Sequence, residues 1–143
     1  MFLGTHTPKL DEKGRFFLPA KFREGLAEGL VITRQQERCL AIYPTETFVA
    51  LAQRAQSAPS TVKQVRDYQR MLAAGASDEV PDKQGRVTIP PTLRSYAGLD
   101  KEIVVIGAVN RVEVWDATTW QTYSVEQEAA YAEMNEVVFP LGE

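Results

Sequence analysis

Short apolar runs alternate with polar stretches along the chain, and the order of the runs is the same in its two halves. In the first half, "LVIT" and "CLAIY" lie on either side of "RQQER", and in the second half "IVVIG" and "VEVW" lie on either side of "AVNR". Runs rich in β-branched and aromatic residues, joined by a few turn residues, are typical of β-hairpins. The pattern therefore predicts one hairpin in each half.

A helix is predicted after each hairpin. Phe48, Leu51, Ala52 and Ala55 stand at i, i+3, i+4 and i+7, which places them on one helical face. At the matching place in the second half, Asp116 is a suitable N-cap. We therefore expect each half to contain a hairpin followed by a helix.

Between the halves, the stretch from Thr61 to about Ala74 has an amphipathic helical pattern and follows the break "SAPS". Its cations Lys63, Arg66 and Arg70 fall on a different side from its apolar residues. A solvated helix face is the simpler interpretation of the cations, and a surface that binds an anion or a partner is the alternative.

A thirteen-residue motif occurs twice in the chain. "DEKGRFFLPAKFR" begins at Asp11, and "DKQGRVTIPPTLR" begins 71 residues later at Asp82. The likeness continues further on, where "LAIYPTETF" aligns with "VEVWDATTW". The repeat indicates an internal duplication. The identical pairs are Asp11/Asp82, Gly14/Gly85, Arg15/Arg86, Pro19/Pro90 and Arg23/Arg94.

The spacing Asp-x-x-Gly-Arg has a physical interpretation as a turn that positions an arginine. Glycine accepts the positive φ of a bulged hairpin loop. The aspartate can accept hydrogen bonds from backbone N–H groups two residues on, and it can hold the arginine four residues later. A pseudo-twofold arrangement of the halves would place Arg15 and Arg86 on a common surface. Two arginines so placed suit a repeating polyanion better than a small substrate.

Charge is distributed unevenly, although the net charge of the 143 residues is only −3. Residues 1–111 contain 16 Lys and Arg against 12 Asp and Glu, a net of +4, whereas residues 112–143 contain seven acids and no Lys or Arg. A polyanionic partner is therefore compatible with the composition if the acidic segment faces away from it.

Cellular location is predicted from three features. The single Cys39 fits a reducing compartment. The N-terminus lacks the pattern of a signal peptide, and no apolar run approaches the ~20 residues of a membrane-spanning helix. We expect a cytoplasmic protein without a membrane partner.

Catalysis is the weakest hypothesis for this chain. His6 is the only histidine, and Cys39 lies in a strand-like run where a buried core position is expected. No nucleophile elbow, phosphate loop or metal-ligand spacing occurs. We therefore predict no enzymatic activity, no cofactor, no metal and no small-molecule substrate.

The motifs resemble those of the MraZ family, which belongs to the AbrB/SpoVT-like transcription regulators. The resemblance rests on "MFLG", "LDEKGR" with "LPAKFR", and "DKQGRVTIPPTLRSYAGL" with "VEVWDATTW", and it covers roughly residues 1–123. It implies an α+β fold, a β-rich duplicated swapped-hairpin barrel with peripheral helices. It also implies a nucleoid-associated bacterial regulator of the division and cell-wall gene cluster. Such a protein binds double-stranded DNA at repeated boxes upstream of its own gene and assembles into a ring-like homo-oligomer.

The resemblance also assigns a DNA-binding role to the repeated motif. Gln84 stands where the first copy has Lys13, so we expect the first copy to make the stronger phosphate contacts. Of Phe16 and Phe17, one is expected in the barrel and the other at a subunit contact. The candidate DNA-binding residues are Asp11, Lys13, Arg15, Arg23, Asp82, Arg86 and Arg94.

Four segments are predicted. Residues 1–56 form the first AbrB/SpoVT-like half, 57–76 a linker and connecting helix, 77–123 the second half, and 124–143 an acidic C-terminal segment to which no role is assigned.

The alternative function is a ring-forming scaffold or protein-interaction module without specific DNA binding. Trp115, Trp120 and Tyr123 could serve assembly in that case, although core packing is the simpler interpretation. A scaffold should tolerate loss of both Arg15 and Arg86, whereas a DNA-binding protein should not.

Overall fold

Eight β-strands and five α-helices form within residues 1–135, which are the residues that the computed structural model describes. The strands are β1 (Thr5–His6), β2 (Arg15–Phe17), β3 (Leu30–Gln35), β4 (Cys39–Pro44), β5 (Ser77–Glu79), β6 (Arg86–Thr88), β7 (Ile103–Gly107) and β8 (Val112–Asp116). The helices are α1 (Ala20–Leu26), α2 (Thr45–Ser57), α3 (Lys63–Ala74), α4 (Pro91–Tyr96) and α5 (Ala117–Ala132).

Both predicted hairpins are confirmed, as β3–β4 and β7–β8. They lie side by side in a six-stranded antiparallel sheet of order β1-β7-β8-β4-β3-β5. Within the described part of the chain, the short strands β2 and β6 pair only with each other and form a two-stranded ribbon.

Strand pairing relates the two halves by a pseudo-twofold axis. In the sheet, Leu40 pairs with Val114 and Ile42 pairs with Val112, so equivalent residues of β4 and β8 exchange places. In the ribbon, Phe16 pairs with its own equivalent, Val87. Each half therefore completes its pairing with strands of the other half.

One hydrophobic core lies between the ribbon and the sheet. Phe16 and Val87 of the ribbon are 1% and 2% exposed. They share a cluster with alternate residues of the central strands, as expected where one face of a sheet is buried. The sheet residues of that cluster are Leu30, Ile32, Leu40, Ile42, Ile103, Val105, Val112 and Val114.

The α+β class and the duplicated arrangement are confirmed, and the expected barrel differs in one detail. The six-stranded sheet is not closed, because its end strands β1 and β5 do not pair with each other. These end strands are only two and three residues long, too short to close the sheet. The two-stranded ribbon packs on one face of this open sheet.

The helices agree closely with their predicted positions. The Asp116 carboxylate caps α5 by accepting a hydrogen bond from the Thr119 N–H at 3.0 Å. Helix α3 begins two residues later than predicted, because Val62 has an extended backbone and occupies the N-cap position. Within residues 1–135, no helix combines the length and the apolar character needed to cross a membrane.

Side chains on the outer face of the sheet follow the simpler interpretations. Trp120 and Tyr123 pack on the buried Trp115, with ring centroids 5.1 and 4.8 Å from its own. Cys39 is buried in the same cluster, and burial raises the pKa of its thiol.

The cations of α3 find partners close to their own helix. Asp67 pairs with Lys63 at 2.6 Å and with Arg70 at 3.9 Å. The Arg66 guanidinium donates to the Ser60 carbonyl at 2.9 Å. These local contacts favour a solvated helix face.

Candidate nucleic-acid interface

The first Asp-x-x-Gly-Arg motif folds as a closed turn. Asp11 Oδ1 accepts hydrogen bonds from the backbone N–H groups of Lys13 and Arg15 at 2.9 and 2.8 Å. Its Oδ2 accepts from Arg15 Nε at 2.8 Å. Gly14 has a φ of +78°, the left-handed conformation that glycine adopts without strain. The turn therefore fixes both the backbone and the side chain of Arg15 at the start of β2.

The second motif reproduces this geometry. Asp82 Oδ1 accepts from the N–H groups of Gln84 and Arg86 at 2.9 and 2.8 Å, and its Oδ2 accepts from Arg86 Nε at 2.7 Å. Gly85 has a φ of +80°. In both copies the predicted contacts of the aspartate with the N–H two residues on and with the arginine side chain are confirmed, and the bond from the arginine N–H is an additional one.

The hydrogen bonds keep both aspartates ionised. The backbone N–H of Arg15 is the main cause that lowers the pKa of Asp11 below its ordinary value of 3.8, and burial opposes it only partly. The Arg86 N–H lowers the pKa of Asp82 in the same way. Each carboxylate therefore holds a guanidinium through Nε. Among residues 1–135, no acceptor lies in hydrogen-bonding geometry to the Nη groups of these two arginines.

The two arginines lie on one face of the ribbon. Arg15 pairs with Thr88 and Arg86 pairs with Phe17, on either side of the central pair Phe16 and Val87. Because side chains alternate along a strand and the central pair is buried, all four neighbours point to the opposite, outer face. We call Arg15, Phe17, Arg86 and Thr88 the ribbon face. Its two arginines stand on a diagonal, at a spacing of about 7–8 Å between their backbones.

Arg23 and Arg94 brace the turns rather than join the ribbon face. Arg94 Nε donates to the Ile89 carbonyl at 3.0 Å, and its guanidinium packs against Gly14 of the other half. Arg23 Nε donates to the Leu18 carbonyl at 2.9 Å and packs in the same way against Gly85. Within residues 1–135, no carboxylate lies within 4.0 Å of either guanidinium. Each therefore supports the turn of the opposite half and retains its positive charge beside it.

The two turns differ in their central residues. Glu12 and Lys13 are exposed in the first turn, and Lys83 and Gln84 are exposed in the second. Each turn therefore carries one lysine, at different places. Sequence reasoning missed Lys83, and it also missed Thr88; both emerge when the copies are compared position by position.

Phe16 is the buried member of the phenylalanine pair, as one of the two was expected to be. Phe17 is 52% exposed, and the Arg86 guanidinium lies 5.9 Å from the centre of its ring. Its expected role in a subunit contact stays a prediction.

Comparison with known proteins assigns the duplicated chain to a family. The model of the family described as "MraZ protein, putative antitoxin-like" matches residues 1–71 and again residues 72–138. The protein named "Transcriptional regulator MraZ" from Cutibacterium acnes is 73% identical over 139 residues, which are 97% of this chain and 98% of the relative. Proteins of the same name from Micrococcus luteus and Leifsonia xyli are 59% and 60% identical over 140 residues, covering 98% of each chain.

The names of these relatives describe transcriptional regulators and not enzymes, which agrees with the prediction of a non-catalytic role. The match is repeated in each half, as the duplicated turns and the pseudo-twofold pairing require. The resemblance seen in the motifs is therefore confirmed over nearly the whole length: the chain belongs to the MraZ family.

Proposed function

We propose that this protein regulates transcription by binding double-stranded DNA through the ribbon face and its two flanking turns. Its targets are repeated boxes upstream of its own gene, in the division and cell-wall gene cluster. It acts in the cytoplasm, associated with the nucleoid.

A single observation carries the proposal: two arginines, each held by an aspartate of its own turn, stand on the same face of a two-stranded ribbon. A two-stranded β-ribbon fits the major groove of B-DNA, which is about 12 Å wide. Arginine held in place loses less conformational freedom when it meets a guanine edge or a phosphate. The geometry thus supports a contact with a regular polyanion.

Both halves must act together in this proposal. The unit that meets DNA consists of one turn from residues 1–56 and one from 77–123, joined by the pairing of Phe16 with Val87. Neither half has a complete ribbon of its own.

Assembly into a ring would strengthen DNA binding by the ribbon face, which is small in a single copy. Several linked copies on repeated boxes bind with greater avidity, without any new contact between protein and DNA. Asp11, Asp82, Arg15 and Arg86 make the ordered contacts, while Lys13, Arg23 and Arg94 add positive charge beside them.

The test is fluorescence anisotropy with the DNA upstream of the protein's own gene and a shuffled duplex, at several salt concentrations. We expect the wild type to prefer the upstream DNA and the variant Arg15→Ala, Arg86→Ala to lose that preference. If the arginines contact phosphates, the slope of log affinity against log salt should also become shallower by about 0.9 per contact. If they contact bases, the preference disappears with little change in slope.

The matched control is Arg54→Ala, Arg70→Ala, which removes the same charge from exposed positions on α2 and α3. It should bind like the wild type. Circular dichroism and light scattering report whether each variant stays folded and assembled. Equal binding of upstream and shuffled DNA by the intact wild type would reject the proposal and favour the scaffold function.

A further inference from the structure

The ribbon face is symmetric in its arginines and asymmetric in its other two residues. The pseudo-twofold axis through Phe16 and Val87 exchanges Arg15 with Arg86, and it exchanges Phe17 with Thr88. One end of the face therefore presents a guanidinium beside a phenyl ring, and the other presents a guanidinium beside a hydroxyl and a methyl group.

Phe17 is the residue that makes one end of the ribbon face apolar, and it is exposed. Phe17 is 52% exposed on a charged face, with the Arg86 guanidinium 5.9 Å from the centre of its ring, whereas the neighbouring Phe16 is 1% exposed. A single exposed apolar side chain is ordinary in itself. This one lies directly opposite a held arginine, on the face that our proposed function assigns to DNA.

We propose that Phe17 contacts the C5-methyl group of a thymine next to the base pair that Arg86 meets, and thereby sets the direction in which the protein reads its site. This inference rests on the proposed function. The thymine methyl is the apolar feature of the major groove, and phenylalanine is among the residues that contact it. Thr88 at the other end offers a hydroxyl, which forms hydrogen bonds with several bases, and a single methyl group where Phe17 has a whole ring. A site read by this face is consequently not palindromic.

The experiment uses the upstream duplex with each thymine in turn replaced by deoxyuridine, which lacks only the methyl group. At one thymine we expect wild-type affinity to fall about fourfold, the effect of losing one buried methyl group. The variant Phe17→Ser removes the ring and leaves no apolar group that could contact the thymine methyl. It should bind the native duplex as weakly as the wild type binds the uracil duplex, and it should show no loss at that thymine.

The variant Val49→Ser is the matched control, because it makes an apolar-to-serine change at a residue of α2 that is 47% exposed. It should retain both the wild-type affinity and the uracil effect. Since Phe17 and Val49 are both exposed, we expect both variants to fold as the wild type does.

Three results would overturn the inference. Uracil at every position could leave wild-type binding unchanged while the preference over shuffled DNA persists, which would reject the methyl contact and retain the proposed function. Phe17→Ser could weaken binding to the thymine and uracil duplexes by the same factor, so that the loss at the thymine persists in the variant. The variant could also change the size of the assembly in light scattering, which would place Phe17 at a contact between copies. If the wild type showed no preference for upstream DNA over shuffled DNA, the proposed function itself would be rejected.

Discussion

At the scale of single residues, Asp11 and Asp82 organise the interface although they carry the same sign of charge as DNA. Each accepts two backbone hydrogen bonds and one from a guanidinium. They lower the local positive charge, but they fix where that charge stands. The aspartates therefore order the two arginines and at the same time weaken the electrostatic attraction of this face to DNA.

The pKa of Asp11 should depend mainly on the backbone of the turn. Its folded-state pKa lies below the ordinary value of 3.8, chiefly because of the Arg15 N–H. The stabilisation is thus fully present above the unfolded pKa and is lost as pH falls through the lower, folded pKa. In Arg15→Ala, which keeps the N–H, we expect the pKa of Asp11 to remain below 3.8, as measured by NMR titration.

Asp82 is the internal control, since its own partner Arg86 is unchanged in that variant. A return of the Asp11 pKa to its ordinary value, with Asp82 unaffected, would identify the guanidinium as the main cause.

Gly14 should tolerate alanine less well than Gly98 does. Both have positive φ, +78° and +60°, which costs an L residue about 1–2 kcal/mol. Among residues 1–135, a Cβ on Gly98 would meet nothing within 4 Å, whereas one on Gly14 would lie 2.8 Å from Arg94 Cζ and 3.0 Å from the Ile89 carbonyl oxygen. Overpacking adds about 1–3 kcal/mol. Urea denaturation should therefore give Gly14→Ala the larger loss of stability, and equal losses would mean that Arg94 moves aside freely.

The contacts of Asp11 and Arg94 show which interactions of single residues could be predicted from the sequence. The contacts of Asp11 lie within four positions of it, so the spacing of the motif was sufficient. The contact of Arg94 with Gly14 joins residues from different halves of the chain, and no local pattern contains it. The motif therefore indicates Arg23 and Arg94 as DNA-binding candidates only, whereas their contacts with the turns depend on the fold.

At the scale of elements, the alternation along β2 separates two adjacent phenylalanines into different environments. Hairpins and helices were predictable because their periodicities are local. The sequence did not predict which phenylalanine points inward, because that depends on how β2 pairs with β6 in the other half. The open edge of the sheet was missed for a related reason, because closure depends on the length of strands β1 and β5.

The phenylalanine pair gives a direct test of the ribbon packing. Phe16→Ala removes a fully buried ring at the pseudo-twofold axis and should cost about 3–5 kcal/mol. Phe17→Ala removes a half-exposed ring and should change stability by less than about 0.5 kcal/mol. Thermal and urea unfolding measure both. Similar costs for the two would show that the outer ring is also buried, as in a contact between copies.

At the scale of the whole molecule, duplication places two arginines on one face of a chain whose net charge is −3. The axis brings the two arginine-bearing turns together, while residues 112–143 contain seven acidic residues and no Lys or Arg. The sequence predicted this separation of charge because it follows from counting, but not the diagonal placement of the arginines, which follows from strand register.

The remaining difference between the turns should appear in the salt dependence of DNA binding. Lys13 and Gln84 occupy equivalent places, so Lys13→Gln should make the slope of log affinity against log salt shallower by about 0.9, and Gln84→Lys should make it steeper by the same amount. Lys83→Gln removes an equal charge at the place where the first turn has Glu12. If the position of a lysine in the turn determines its contact with phosphate, Lys83→Gln should change the slope less than Lys13→Gln. Equal changes would mean that total charge, and not the geometry of the turn, governs attraction to DNA.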